Sequence, residues 1–113
     1  MADDEVRASP VLPVTDLERA LAHYAGLGFA TSRHDDSYGF ATWAGLELHL
    51  TVDPDADGVE VYLHVPDADA VADAWAGPGT TDPTDKPWHV REGSHVDPDG
   101  NLLRFGSPLA SGG

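Results

Sequence analysis

A shift of 51 residues lays the second half of this chain over its first half. Val14, Asp16, Tyr24, Ala25, Gly26 and Gly28 fall on Val65, Asp67, Trp75, Ala76, Gly77 and Gly79. At a slightly larger shift, Gly45-Leu46-Glu47-Leu48-His49-Leu50 falls on Gly100-Asn101-Leu102-Leu103-Arg104-Phe105. Self-similarity of this kind means one supersecondary unit built twice. Each half reads as a strand, a helix and a meander of strands, so the repeating unit is βαβββ. The fold class that follows is α+β: two tandem βαβββ modules in one domain over residues 1–113. Module one occupies about residues 8–53, module two about 59–108, and Asp53-Pro54-Asp55-Ala56-Asp57-Gly58 is the linker between them.

Local signals place the elements. Ser9 to Val14 is a strand whose two prolines suit a sheet edge or a chain crossover. Thr15-Asp16-Leu17-Glu18 has the form of a capping box, which predicts a helix from Asp16 to about Ala25, ended by Gly26 and Gly28. Gly28 to Arg33 is a strand and His34 to Ser37 a turn. Tyr38 to Trp43 is a strand, Ala44-Gly45 a two-residue turn, and Leu46 to Val52 another strand. In that strand Leu46, Leu48 and Leu50 face one way, and Glu47, His49 and Thr51 the other. Val59 to Val65 opens the second module, followed by a helix from Asp67 to about Trp75. Residues 80–86 are a polar loop or short strand. Pro87 to Phe105 is a hairpin whose turn is Asp97-Pro98-Asp99-Gly100. Trp88 stands at its entrance, where an indole suits the wall of a pocket. Tyr24, Phe29, Trp75 and Phe105 are assigned to the core.

Composition excludes several classes. The chain has 20 acidic residues against six Lys and Arg, a net charge of -14. Such a surface repels nucleic acid and anionic lipid and attracts cations. It has no cysteine, so neither a disulfide framework nor a thiolate metal site is open to it. No apolar run is long enough to span a bilayer. Residues Met1 to Glu5, part of a loose tail over residues 1–7, lack a signal-peptide core. The expectation is a cytoplasmic protein with no membrane or nucleic-acid partner. No nucleophile motif marks the chain, so no catalytic residue is assigned. Six histidines are present, and those placed in strands, His49, His64 and His95, are the ones able to converge. Glu60 with His49 or His64 could form an acid–base pair.

The duplication, Pro10-Val11-Leu12-Pro13-Val14, Leu27-Gly28-Phe29, and Pro87-Trp88-His89-Val90-Arg91-Glu92 leading into Asp97-Pro98-Asp99-Gly100-Asn101 together resemble the vicinal oxygen chelate superfamily. That superfamily contains glyoxalase I, extradiol dioxygenases and bleomycin resistance proteins, and the resemblance to the last is strongest. It covers about Ser9 to Pro108 and implies a cup-shaped mixed sheet. It also implies a homodimer that exchanges N-terminal strands, with two clefts built from both chains.

Metal-dependent members carry His, Glu or Gln at four inward strand positions. Those positions correspond here to Ser9, His49 (or Glu47, two residues away), Glu60 and Arg104. Serine is a poor ligand and arginine brings a fixed positive charge, which leaves too few donors for a catalytic metal. A Glu60–Arg104 ion pair would let both sit in a cleft without one. The resemblance therefore implies a non-enzymatic, cofactor-free antibiotic-binding protein. It would sequester a cationic glycopeptide of the bleomycin type and confer resistance. Its ligand residues would be Tyr38, Phe40, Trp43, His49, Glu60, Tyr62, His64, Trp88 and Arg104, with no metal ligand. The alternatives are a metal-dependent glyoxalase- or dioxygenase-like enzyme using His49 and Glu60, and a metabolite-binding protein of the same fold.

Overall fold

Alternating apolar and polar residues build two four-stranded sheets, each with one helix packed on its apolar face. The computed structural model describes residues 6–109, so the reading of Met1 to Glu5 lies outside the described residues. Module one consists of β1 (Val11–Val14), α1 (Leu17–Gly26), β2 (Ala30–Asp35), β3 (Tyr38–Trp43) and β4 (Leu46–Val52). Module two repeats it as β5 (Glu60–His64), α2 (Ala68–Ala74), β6 (Thr80–Lys86), β7 (Val90–Val96) and β8 (Leu102–Pro108). The sheet orders are β1-β4-β3-β2 and β5-β8-β7-β6. In each, the first strand lies parallel to the last, and the meander is antiparallel. The α+β class and the duplicated unit are thus as the repeat requires. β1 pairs with β4 of its own chain.

The repeat is physical, not only lexical. Asp16 and Asp67 are the N-caps of the two helices, Asp16 accepting from the backbone N–H of Arg19 and Asp67 from those of Asp69 and Ala70. Tyr24 and Trp75, the equivalent helix residues, are both buried. Gly45 and Gly100 both take φ near +85 in the turn before the last strand of each module, a conformation glycine adopts without strain.

Three readings need correction. The N-cap of α1 is Asp16, not Thr15, because the Thr15 hydroxyl is drawn to Asp99 Oδ1 at 2.8 Å. Glu18 turns to Arg33 instead of closing a capping box. Residues 80–86 are a full strand, β6, at a sheet edge, where Pro83 forfeits a donor without breaking the sheet.

One core joins the modules. Leu12, Val14, Leu48, Leu50, Leu103 and Phe105 line the helix-facing sides of the sheets and are fully buried. Trp75 packs against Phe29 at 5.6 Å, Trp43 at 5.2 Å and Phe105 at 5.5 Å between ring centroids, so the C-cap residue of α2 holds module one to module two. The hairpin turn adds a polar clamp. Tyr24 donates to Asp97 Oδ2 at 2.8 Å, Asn101 Nδ2 donates to Pro13 O at 2.9 Å, and Arg19 pairs with Asp99 at 2.7 Å.

Beside this clamp, the Nε2 atoms of His23 and His95 meet at 2.8 Å. The histidines that converge are therefore one on α1 and one on β7, not two strand residues. The tautomers follow from the neighbours. Thr80 Oγ1 donates to Trp75 O at 2.6 Å, so it accepts from His95 Nδ1 at 2.7 Å, and His95 Nε2 accepts from His23. Burial lowers the pKa of both rings, that of His95 to about 4, with the His23 charge a further cause. The unfolded chain then binds more protons than the folded one between pH 6.5 and 4, so stability falls as pH falls through that window. We expect a loss on the order of 2 kcal/mol between pH 6.5 and 5 in urea unfolding. The loss should be blunted in His95→Gln; an equal slope in that variant would show that other groups carry it.

Candidate functional site

The faces of the sheets away from the helices carry the polar and aromatic residues. On the first sheet, register sets Phe40 opposite His49 and Tyr38 opposite Thr51. Tyr38, Phe40 and His49 form an edge-to-face cluster with ring centroids 5.0–5.6 Å apart. Glu47 Oε2 takes the Nε2 proton of His49 at 2.9 Å, which leaves Nδ1 to accept from the Tyr38 hydroxyl at 2.8 Å. Ser9 Oγ reaches the same Glu47 oxygen at 3.5 Å. The chain Tyr38–His49–Glu47 is an oriented relay able to move a proton at the phenol oxygen.

On the second sheet the organising group is Arg104. Its guanidinium pairs with Glu60 at 3.0 Å and Glu92 at 2.7 Å and lies 5.4 Å from the centre of the Tyr62 ring. Tyr62 and His64 stand 5.1 Å apart on β5. Gly106 lies opposite both His64 and Glu92 in the ladder, and a Cβ there would collide with the Tyr62 hydroxyl. The missing side chain is what lets the phenol lie across the sheet. Tyr62, His64, Trp88 and Gly106 line a cavity of about 590 Å³. Trp88, 56% exposed, stands over it from the turn between β6 and β7, where His89 takes φ +67.

A larger and mainly apolar cavity of about 990 Å³ runs along β5. Its walls include Ser9, Trp43, Glu60, Tyr62, His64 and Trp75.

Most of the expected ligand residues fall on these two faces, Tyr38, Phe40 and His49 on one and Glu60, Tyr62, His64, Trp88 and Arg104 on the other. Trp43 does not share the face of Tyr38 and Phe40. It packs toward the core on Phe29 and Trp75, three residues beyond Phe40 and so on the opposite side of the strand. It also lines the β5 cavity. The acid–base partner of His49 is Glu47, since Glu60 is bound to Arg104. Glu92 is the residue that sequence reasoning missed, although alternation along β7 puts it on the same face as Val90 and Ser94.

The resemblance places the metal-ligand positions at Ser9, His49 (or Glu47), Glu60 and Arg104. Val11 pairs with His49 and Tyr62 with Arg104, so His49 and Arg104 are equivalent and Glu47 is not the counterpart of Arg104. The donor set does not fit a metal: a serine, a histidine engaged on both nitrogens, a glutamate tied to a guanidinium, and that guanidinium itself. Among the described residues, no three His, Asp or Glu side chains stand together as a metal cluster. Also among them, no helix is long and apolar enough to cross a membrane.

No protein-family model and no curated protein matches the chain. Solved structures do. A bleomycin resistance determinant encoded on transposon Tn5 superposes with a TM-score of 0.81 at 23% identity, over 94% of this chain and 100% of that one. The bleomycin-binding protein of bleomycin-producing Streptomyces verticillus, complexed with copper(II)-bleomycin, gives 0.78 at 24% identity, over 96% and 98%. A glyoxalase-related enzyme from Clostridium phytofermentans gives 0.74 at 21%, over 94% and 98%. The chain therefore has the vicinal oxygen chelate fold. It shares that fold with bleomycin resistance proteins and with glyoxalase-related enzymes.

Proposed function

We propose that this protein binds and sequesters a cationic, planar ligand of the bleomycin type, without a metal and without chemistry. The observation that carries the reading is Arg104. It occupies a position where metal-dependent relatives place a ligand, and its pairing with Glu60 and Glu92 turns that place into a charged, aromatic-walled recess. Flat rings at Tyr62 and Trp88 suit stacking of a planar group, and the -14 charge draws a cation toward it. The reading includes a homodimer whose clefts draw one face from each chain, since the two faces belong to different sheets. A drug so held is kept from its target by binding alone.

Calorimetric titration of metal-stripped protein with bleomycin tests this. We expect about one drug per chain, weaker binding at higher salt, and a two-chain mass in sedimentation of the same sample. Trp88→Ala should weaken binding about 10- to 100-fold, the loss of one stacking surface. No heat at low or moderate salt would sink the drug assignment.

A second reading, acid–base catalysis on a small substrate, is favoured by one observation, the Tyr38–His49–Glu47 relay. It requires turnover that disappears in Tyr38→Phe, whereas the binding reading requires none.

A further inference from the structure

Glu92 is more deeply buried than a carboxylate on a binding face needs to be. Its side chain is only 7% exposed, and one oxygen, Oε2, receives the Arg104 bond at 2.7 Å. The other, Oε1, is buried and has no hydrogen-bond partner. The Tyr62 phenol and the Trp88 indole are near enough to favour the charged form of Glu92, yet neither completes a hydrogen bond to Oε1. Both line the 590 Å³ cavity, which Glu92 itself does not, and Trp88 is more than half exposed. Burial alone would raise the Glu92 pKa, but the Arg104 bond, helped by Tyr62 and Trp88, holds it below the ordinary carboxylate value. The group is thus a carboxylate at neutral pH, and a buried carboxylate oxygen without a donor is costly to leave unmade.

Charge sharpens the point. Glu60 and Glu92 flank a single guanidinium, so the cluster carries one negative charge in excess. Arg104 is already engaged on two carboxylates and leaves Oε1 unsatisfied. The complement is a group that brings both a positive charge and an N–H, attached to something flat enough to enter beside Tyr62 and Trp88.

We propose that Glu92 is the anchoring acceptor of the cleft, taking an N–H of a protonated amine or amidine carried next to a planar ring. This rests on the reading of the cleft as a site for a planar cation, and it names the residue that recognises the charge.

Benzamidine and its uncharged analogue benzamide separate charge recognition from stacking. Titrated against tryptophan fluorescence at low salt, benzamidine should bind about tenfold or more tightly than benzamide, and Glu92→Gln should erase that ratio. Should Glu92→Gln fail to fold, the carboxylate resonance of isotope-labelled Glu92 in the wild-type protein must shift with benzamidine and not with benzamide. Equal binding of the two probes to wild-type protein, or a preference that survives in Glu92→Gln, overturns the assignment. Bleomycin run in parallel keeps the two readings apart. Drug binding unaffected by Glu92→Gln, with no benzamidine preference, overturns the anchor alone. A benzamidine preference without drug binding supports the anchor and removes the drug.

Discussion

Asp97→Ala is expected to destabilise the protein by about 3–5 kcal/mol, more than any other single carboxylate truncation in the chain. Asp97 is 5% exposed and accepts four hydrogen bonds. Oδ1 takes the backbone N–H groups of Asp99 and Asn101, each at 2.9 Å. Oδ2 takes the Tyr24 hydroxyl at 2.8 Å and the Asn101 amide at 3.0 Å. Tyr24 and Asn101 are themselves fully buried, so the truncation strands donors that water cannot reach. Burial and the neighbouring Asp97 push the Tyr24 phenol far above its ordinary pKa, so it remains a donor throughout the working range. The same turn carries Asp99, which receives Thr15 and Arg19 from the start of α1. Loss of Asp97 thus loosens both the hairpin and its hold on module one. At about 4 °C per kcal/mol, the midpoint should fall on the order of 15 °C. Tyr24→Phe, which removes one hydroxyl and leaves the turn's own bonds, should cost about 1–2 kcal/mol. Urea unfolding of the two variants checks this. An Asp97→Ala midpoint close to that of wild type would mean that the turn does not clamp the modules.

Trp75→Ala should cost a similar amount, about 3–5 kcal/mol, for a different reason. Trp75 is 1% exposed and is the largest fully buried side chain. It touches Phe29 and Trp43 of module one and Phe105 of module two, so its removal opens a cavity where the halves meet. His95 also loses an edge contact. Trp75→Phe should cost much less, about 1–2 kcal/mol, because it keeps an aromatic ring and deletes an indole N–H that has no partner. If both variants unfolded alike, the shape of the indole, and not the presence of an aromatic ring, would be what matters. Trp75 also walls the larger cavity, so Trp75→Ala should enlarge that cavity as well as lower stability.

Much of module one was legible residue by residue. β3, the Ala44-Gly45 turn and β4 have the bounds that alternation and glycine predict, because both strands have one face in the core and a one-residue slip would expose Leu48 and Leu50. The Glu60–Arg104 pair was legible too, from the resemblance, which implies that both stand at inward positions. The face of Trp43 was readable from strand parity but was overridden by its proximity to Tyr38 and Phe40. Thr15 was misread because a capping box is a local rule and its hydroxyl answers to Asp99, 84 residues away. His23 and His95 could not have been paired from sequence, since they are 72 residues apart in different modules. Glu92 carried only the signal of alternation along a mixed strand, which says which way a side chain points and nothing about what will cover it.

What the chain determined by itself is therefore the repeating unit, the strand faces and the excess of negative charge. These rest on short-range physics: backbone dihedrals, the two-residue period and the count of ionisable groups. Only the tertiary structure decided that Asp97-Pro98-Asp99-Gly100-Asn101 is a clamp on α1, that two histidines share a proton across the modules, and that Glu92 is buried with one oxygen unpaired. Each of those depends on how one module is set against another element distant in the chain. That placement follows from the summed packing of a whole core, with Trp75 at its centre, and no local pattern encodes it.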